Sequence, residues 1–302
     1  MRFESFIIVD WSAKAKPSPA KPSKDAIWVA EGNADKDRIR TSYFRTRQSC
    51  FEYLRKRLRR NVKQGIRTLV GFDIIYAYPQ GFAKALRLKD KPSWSAVWEL
   101  LHHLIEDDAK NRNNRFLVGA ELNRRIKAPL GPFWGVPTGQ SGILLGPKKD
   151  FSYPVQGKRA TLAERRLVEL RCPGMQPTWK LAYTGSVGSQ GLMGIPYLYQ
   201  LRFGDKILAK HSKVWPFETG FTSAPLTHKD DLILHTEIWP SLIKRPGKDK
   251  IVDREQVKSL TNWLIKQQAK DELNACFDEP KGLKKKELKV CVKEEGWVLG
   301  VK

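Results

Sequence analysis

Three apolar runs in this chain each close on an acid: Phe6-Ile7-Ile8-Val9-Asp10, Thr68-Leu69-Val70-Gly71-Phe72-Asp73 and Leu232-Ile233-Leu234-His235-Thr236-Glu237. Short runs rich in Val and Ile read as buried strands. An acid at the last residue of such a strand sits on rigid backbone at the sheet edge, where sites collect in open α/β sheets. If the three strands are neighbours, three carboxylates converge. Carboxylates crowded away from water repel one another unless a proton or a cation offsets the charge. A hard divalent cation, Mg²⁺ or Mn²⁺, is the usual solution, because such ions prefer oxygen ligands.

The length of 302 residues suits one large domain or two modest ones, and 41% hydrophobic with 29% charged residues fits a globular chain with a real core. No apolar stretch reaches the roughly 18 residues a membrane span needs. The N-terminus runs straight into the first strand with no cleavage pattern, so a cytoplasmic protein is expected. Cys50, Cys172, Cys276 and Cys291 are scattered, with no paired spacing, and read as free thiols rather than zinc or redox sites. The net charge of +23 is large for this length. It implies an anionic partner, nucleic acid first, although a generally lysine-rich surface gives the same sum.

Along the chain, residues 3–10 read as a strand. Residues 12–25 are a Pro/Lys/Ser loop, and Ala26–Glu31 and Ile39–Phe44 are two more strands. A helix over Arg47–Gln64 follows, its apolar stripe made by Phe51, Leu54, Leu58 and Val62, and then the strand Thr68–Asp73. Helices are expected at Ser93–Asp108, Phe116–Ile126, Thr161–Arg171 and Ser189–Leu201, the last kinked by Pro196. Gly131–Gly135 is a stiff loop, and Val214–Thr219, Leu232–Ile238 and Trp297–Val301 are further strands. Asp253 is expected to cap a helix running to about Gln268, with Val257, Leu260 and Leu264 inward. The whole reads as a single domain over residues 1–302, with an elaboration at about 90–212.

This element order, with its three acids, resembles the ribonuclease H-like fold: three meandering strands, a helix, a fourth strand beside the first, then further α/β units. The expectation is an α/β protein with a mixed sheet core, helices on both faces and a helical and loop insertion in the middle. The segments Val9-Asp10-Trp11-Ser12, Gly71-Phe72-Asp73 with Tyr78-Pro79-Gln80-Gly81-Phe82, and Thr236-Glu237-Ile238-Trp239-Pro240-Ser241 sharpen it. So do Asn111–Phe116, Gly131–Gly135, Gly185–Gln190, Trp215–Gly220 and Glu294–Gly300. Together they are similar to a family of uncharacterised proteins, domain of unknown function 429, regarded as predicted nucleases of that fold. The likeness spans nearly the whole chain. It departs after Asp73, where Ile74-Ile75-Tyr76-Ala77 replaces a Pro-containing, Phe-rich segment, and at Asp271-Glu272-Leu273-Asn274-Ala275, which only partly echoes a late acidic helix.

The resemblance implies metal-dependent phosphodiester hydrolysis, with Asp10, Asp73 and Glu237 catalytic and Mg²⁺ or Mn²⁺ held by those three and a fourth acid. Asp253 is preferred over Asp271 as that fourth, because it opens the helix after the Glu237 strand. Two ions roughly 3.5–4 Å apart would clamp the scissile phosphate. Each acid taken alone is more often a surface or capping carboxylate. Ser12, Asn114, Arg115, Ser186, Ser189 and Gln190 are candidate substrate contacts, the last three in a glycine-containing loop ahead of a helix. Arg59 and Lys63, on the basic face of the first helix, are expected to track a phosphate backbone. Glu218 is expected to pair with an arginine, and His235 to be a core histidine. The alternative functions are a non-catalytic nucleic-acid-binding protein and a nucleotide-dependent phosphotransferase. The second needs a glycine-rich loop after the first strand, and residues 12–25 contain no glycine.

Overall fold

The computed structural model describes residues 1–89, 91–128, 130–243, 247 and 249–302, with backbone alone at 36 and 37. Its centre is a six-stranded mixed sheet in the order β3-β2-β1-β4-β8-β7. Strands β1 (Ser5–Asp10), β2 (Ile27–Asn33) and β3 (Lys36–Phe44) form an antiparallel meander. Helix α1 (Arg47–Lys63) then carries the chain back, so that β4 (Thr68–Asp73) lies parallel to β1. After β4 come α2 (Phe82–Ala85), α3 (Ser93–Leu104) and α4 (Arg115–Ile126), then the two-stranded ribbon of β5 (Val155–Gln156) and β6 (Thr161–Leu162). Helices α5 (Leu167–Arg171), α6 (Val187–Tyr199) and α7 (Lys206–His211) precede β7 (Ser212–Val214) and β8 (Ile233–Glu237). Both of these strands are parallel to β4. The chain closes with α8 (Val252–Ala269) and α9 (Lys285–Val290).

Side chains alternate across a strand, so each strand feeds two cores. Ile7, Val9, Val29, Val70 and Phe72 face one side, under Phe51, Leu54 and Leu58 of α1 and Leu192, Ile195 and Leu198 of α6. Phe6, Ile8, Ala30, Leu69 and Leu234 face the other, under Val257, Leu260 and Leu264 of α8. Helix α8 approaches closely because the sheet is shaved to glycine: a Cβ on Gly32 would lie 2.7 Å from Ile265 Cδ1.

The meander, α1 and β4 follow the sequence expectation to within a few residues. Four other expectations are corrected. The helix expected over Thr161–Arg171 shrinks to α5, because Arg166 is buried in a side-chain network rather than displayed on a charged surface. The strand expected at Val214–Thr219 is β7, which ends at Val214 before a turn. Trp297–Val301 makes only an isolated bridge, Val298 to Glu237. Asp253 lies in the first turn of α8, whose cap is Ile251. Pro196 sits inside α6 without breaking it, and the helix continues as a wider turn over Gln200–Gly204.

Candidate functional site

The parallel register sets Asp10 of β1 opposite Asp73 of β4. In-register residues of parallel neighbours point to the same face, and these strands lie about 4.8 Å apart. That face is the one α8 covers, and Asp253 in its first turn reaches the same place. Asp10, Asp73 and Asp253 line one cavity of about 740 Å³ at the carboxyl end of the sheet.

Burial, followed by the charges of Asp73, Asp253 and Asp25, pushes the Asp10 carboxyl well above the usual range. Burial, Glu237 and Asp253 bring Asp73 up to about 7. Among the described residues neither carboxylate receives a hydrogen bond. Asp253 is also raised by burial, although its Oδ2 accepts the Asp25 N–H at 2.5 Å. The cluster is thus short of donors and of positive charge. Three oxygen-donor groups in that condition suit a hard cation such as Mg²⁺ or Mn²⁺. Among the described residues, however, no three His, Cys, Asp or Glu side chains are gathered tightly enough to hold an ion as they stand.

Glu237 is corrected. It is in register with Phe72, not Asp73, and so projects from the opposite face of the sheet. There Arg166 grips it with two bonds, Nη2 to Oε1 at 2.6 Å and Nη1 to Oε2 at 2.8 Å, and the Tyr76 N–H adds a third at 2.9 Å. Arg166 is itself fully buried. Burial opposes its charge, while Glu237 and Glu169 hold the guanidinium ionised. Glu237 is therefore a structural partner whose charge is felt at Asp73, not an open ligand.

The opposite wall of the cavity is made by Arg115, Ser186 and Gln190, with Ser12 and Lys14 beside Asp10. Arg115 Nε donates to Ser189 Oγ at 3.0 Å and Nη1 to Asn113 Oδ1 at 2.8 Å. Burial and the nearby Arg47 lower its pKa to about 10, so it stays a cation at neutral pH. Ser186 caps α6 by position, and its side chain makes no capping bond. The Gln190 amide donates to the Trp11 carbonyl, and Ser12 Oγ to the Asp25 carbonyl. Ser189 also lines the cavity, but it is buried, and its hydroxyl donates to the Leu181 carbonyl and accepts the Arg115 Nε–H, holding that arginine in place.

Three further candidates fall away from the site. Asn114 ties a turn, accepting the Glu106 N–H and donating to the Leu104 carbonyl. Arg59 and Lys63 lie at the far end of the sheet. The end of α1 is fixed there by Asn61, whose amide reaches Ser5 and Thr68 at the starts of β1 and β4. The length of β1 separates the two ends, roughly 17 Å for five steps of a strand. Arg59 is also paired with Asp205 at 2.7 Å.

Sequence reasoning missed Arg166 and Arg47. Arg47 is fully buried, forks onto Asp107 with two 2.6 Å bonds, and donates to the Ser12 and Lys14 carbonyls. It pins the start of the 12–25 loop against the site. Glu218 pairs with Arg202, as expected. His235 is a core histidine near Ser212, its pKa lowered to about 3 by burial and Arg202. The four cysteines are unpaired. Among the described residues no helix is long and apolar enough to cross a membrane.

No family model matches this chain, and no curated protein or solved structure matches it.

Proposed function

We propose that this chain is a divalent-metal-dependent nuclease with a ribonuclease H-like core, its metal ligands being Asp10, Asp73 and Asp253. The observation that carries the reading is the meeting of these three carboxylates, from two parallel strand ends and one helix start, in a single cavity with no donor to Asp10 or Asp73 among the described residues. The meander, the returning helix and the placement of β4 beside β1 are the element order that the sequence resemblance implies. The net charge of +23 supports a polyanionic substrate.

A bound Mg²⁺ or Mn²⁺ would neutralise charge on the scissile phosphate and lower the pKa of the attacking water. The chain's own residues divide the remaining work. Asp10, Asp73 and Asp253 hold the cation. Arg115, cationic and without a carboxylate within ion-pair distance among the described residues, binds a phosphate oxygen on the facing wall. The N-terminus of α6 adds only the Val187 N–H, because the Gly188 N–H is bonded to the Lys180 carbonyl and the Ser189 and Gln190 N–H groups to the Ser186 carbonyl. Arg166 and Glu237 hold the segment after β4 from behind, through the Tyr76 N–H.

The test compares wild type with Asp73→Asn on labelled single-strand, duplex, hybrid and branched substrates, in Mn²⁺, in Mg²⁺ and in chelator, alongside thermal unfolding with and without Mn²⁺. Metal-dependent cleavage and metal-induced stabilisation, both lost in the variant, are expected. Cleavage that persists in Asp73→Asn, or a wild type indifferent to metal in both assays, overturns the reading. A non-catalytic nucleic-acid-binding protein is the second reading. It is favoured by the absence, among the described residues, of a ready-gathered ligand group.

A further inference from the structure

A second cavity, of about 820 Å³, opens between α2 with its following turn and the β5–β6 ribbon, outside the carboxylate site. Among the described residues its charged lining is Lys84, Arg87, Lys89 and Arg159 against one acid, Glu294. That acid is already engaged: its carboxylate accepts the Gly81 N–H at 2.8 Å. Among the described residues none of the four cations has a carboxylate within ion-pair distance, whereas Arg124 and Arg202 elsewhere are held in such pairs.

Two details point to a ligand rather than to a solvated basic surface. Arg159 Nη1 is shut away from solvent and, among the described residues, has no hydrogen-bond partner. A buried donor left unmade is costly, so a turn of the guanidinium toward the open cavity, where a ligand oxygen would accept from it, is favoured. Arg87 holds φ at 65°, the left-handed conformation that closes the turn after α2, with its N–H on the Lys84 carbonyl and the Leu88 N–H on the Ala83 carbonyl. Glycine is the residue this backbone favours. An arginine there adds local strain and places a cation at the cavity.

We propose that this cavity binds a ligand carrying a chain of phosphate groups. Among the described residues, four cations opposed by one bonded carboxylate leave more positive charge than one phosphate neutralises. The volume is in the range of small-molecule sites, roughly 300–1,000 Å³. Among the described residues no aromatic side chain lines it, so recognition falls on the phosphates rather than on a stacked base. The proposal stands whether or not the carboxylate site cleaves anything.

The probe is inorganic triphosphate, titrated calorimetrically in chelator so that no metal bridges it to the aspartates. One saturable site is expected in the full-length protein. Affinity should fall about tenfold in Arg87→Gly and in Arg159→Gln, the loss of one charge-assisted contact. It should be unchanged in Asp73→Asn and in Lys286→Gln, which removes an exposed charge on α9. Glycine is unstrained at a φ of 65°, so Arg87→Gly tests the charge without endangering the fold. An oligonucleotide is then added as competitor. Displacement identifies the phosphate chain as a nucleic-acid backbone, and persistence of triphosphate binding identifies a small polyphosphate; both support the site. Absence of saturation overturns it, and so does an equal loss in Lys286→Gln, which would reveal attraction by overall charge alone.

Discussion

Burial and the charges of Glu237 and Asp253 raise Asp73 to about 7, so the folded protein holds a proton there that the unfolded chain releases near pH 3.8. Over that window the native state binds more protons than the unfolded one, and stability falls as pH rises. The contribution is fully present below the unfolded value, fades through the interval and is gone above pH 7. In chelator, Asp73→Asn should therefore match wild type near pH 4 and exceed it at pH 8, by on the order of 2 kcal/mol. The full interval would carry about twice that, but the side chain keeps some contact with solvent. Urea unfolding at the two pH values measures it, and equal stability at pH 8 would show that the aspartate is not under strain. The sequence made Asp10 and Asp73 legible because both end an apolar run, and it pointed to Asp253 through the helix it opens. Glu237 looked equivalent, but one residue of register turns a side chain to the other face, and register is absent from a single strand's pattern. Arg166 and Arg47 were illegible for a related reason. Their partners Glu237 and Asp107 lie 71 and 60 positions away, and nothing local distinguishes a buried arginine from a solvated one.

Element by element, β4 is the piece that both cores and the site share. Gly71 lies two residues before Asp73 on the same face, beneath Ile238 and beside Ile8. A Cβ there would meet Ile238 Cγ2 at 2.6 Å and Ile8 Cδ1 at 2.9 Å. Ile238 is branched at its own Cβ and cannot swing that methyl away cheaply. Gly71→Ala should therefore cost about 1–3 kcal/mol through overpacking, seen as a lower urea midpoint at unchanged slope. A wild-type midpoint would mean that β8 shifts to accommodate the methyl. The regular elements around β4 were readable because their signals are long enough to register: continuous apolar runs in β1 and β4, buried on both faces, and the 54–58 stripe of α1. From β5 to β7 only α6, expected over Ser189–Leu201, was readable. The strands there are two or three residues long, too short for a period to register, and Arg166 and Glu169 are buried within a charged run that reads as a surface.

On the scale of the whole molecule, +23 of net charge is spread unevenly with respect to the carboxylate cavity. One basic concentration, Arg38, Arg40, Arg57 and Arg60, surrounds the ends of β2 and α1, remote from Asp10 and Asp73. Lys14 and Arg115 line the cavity itself. A strand threaded past the carboxylates therefore meets the second group and not the first. Each neutralised phosphate contact contributes about 0.7 to the salt slope of single-strand binding and about 0.9 for duplex. Replacing Lys14 and Arg115 with Gln should flatten the slope by about 1.4 for a single strand, whereas replacing Arg59 and Lys63 should leave it unchanged. Fluorescence anisotropy of a labelled oligonucleotide across a salt series separates the two. The reverse outcome would put the nucleic acid on the back of α1, at the opposite end of the sheet, and detach binding from the aspartates altogether.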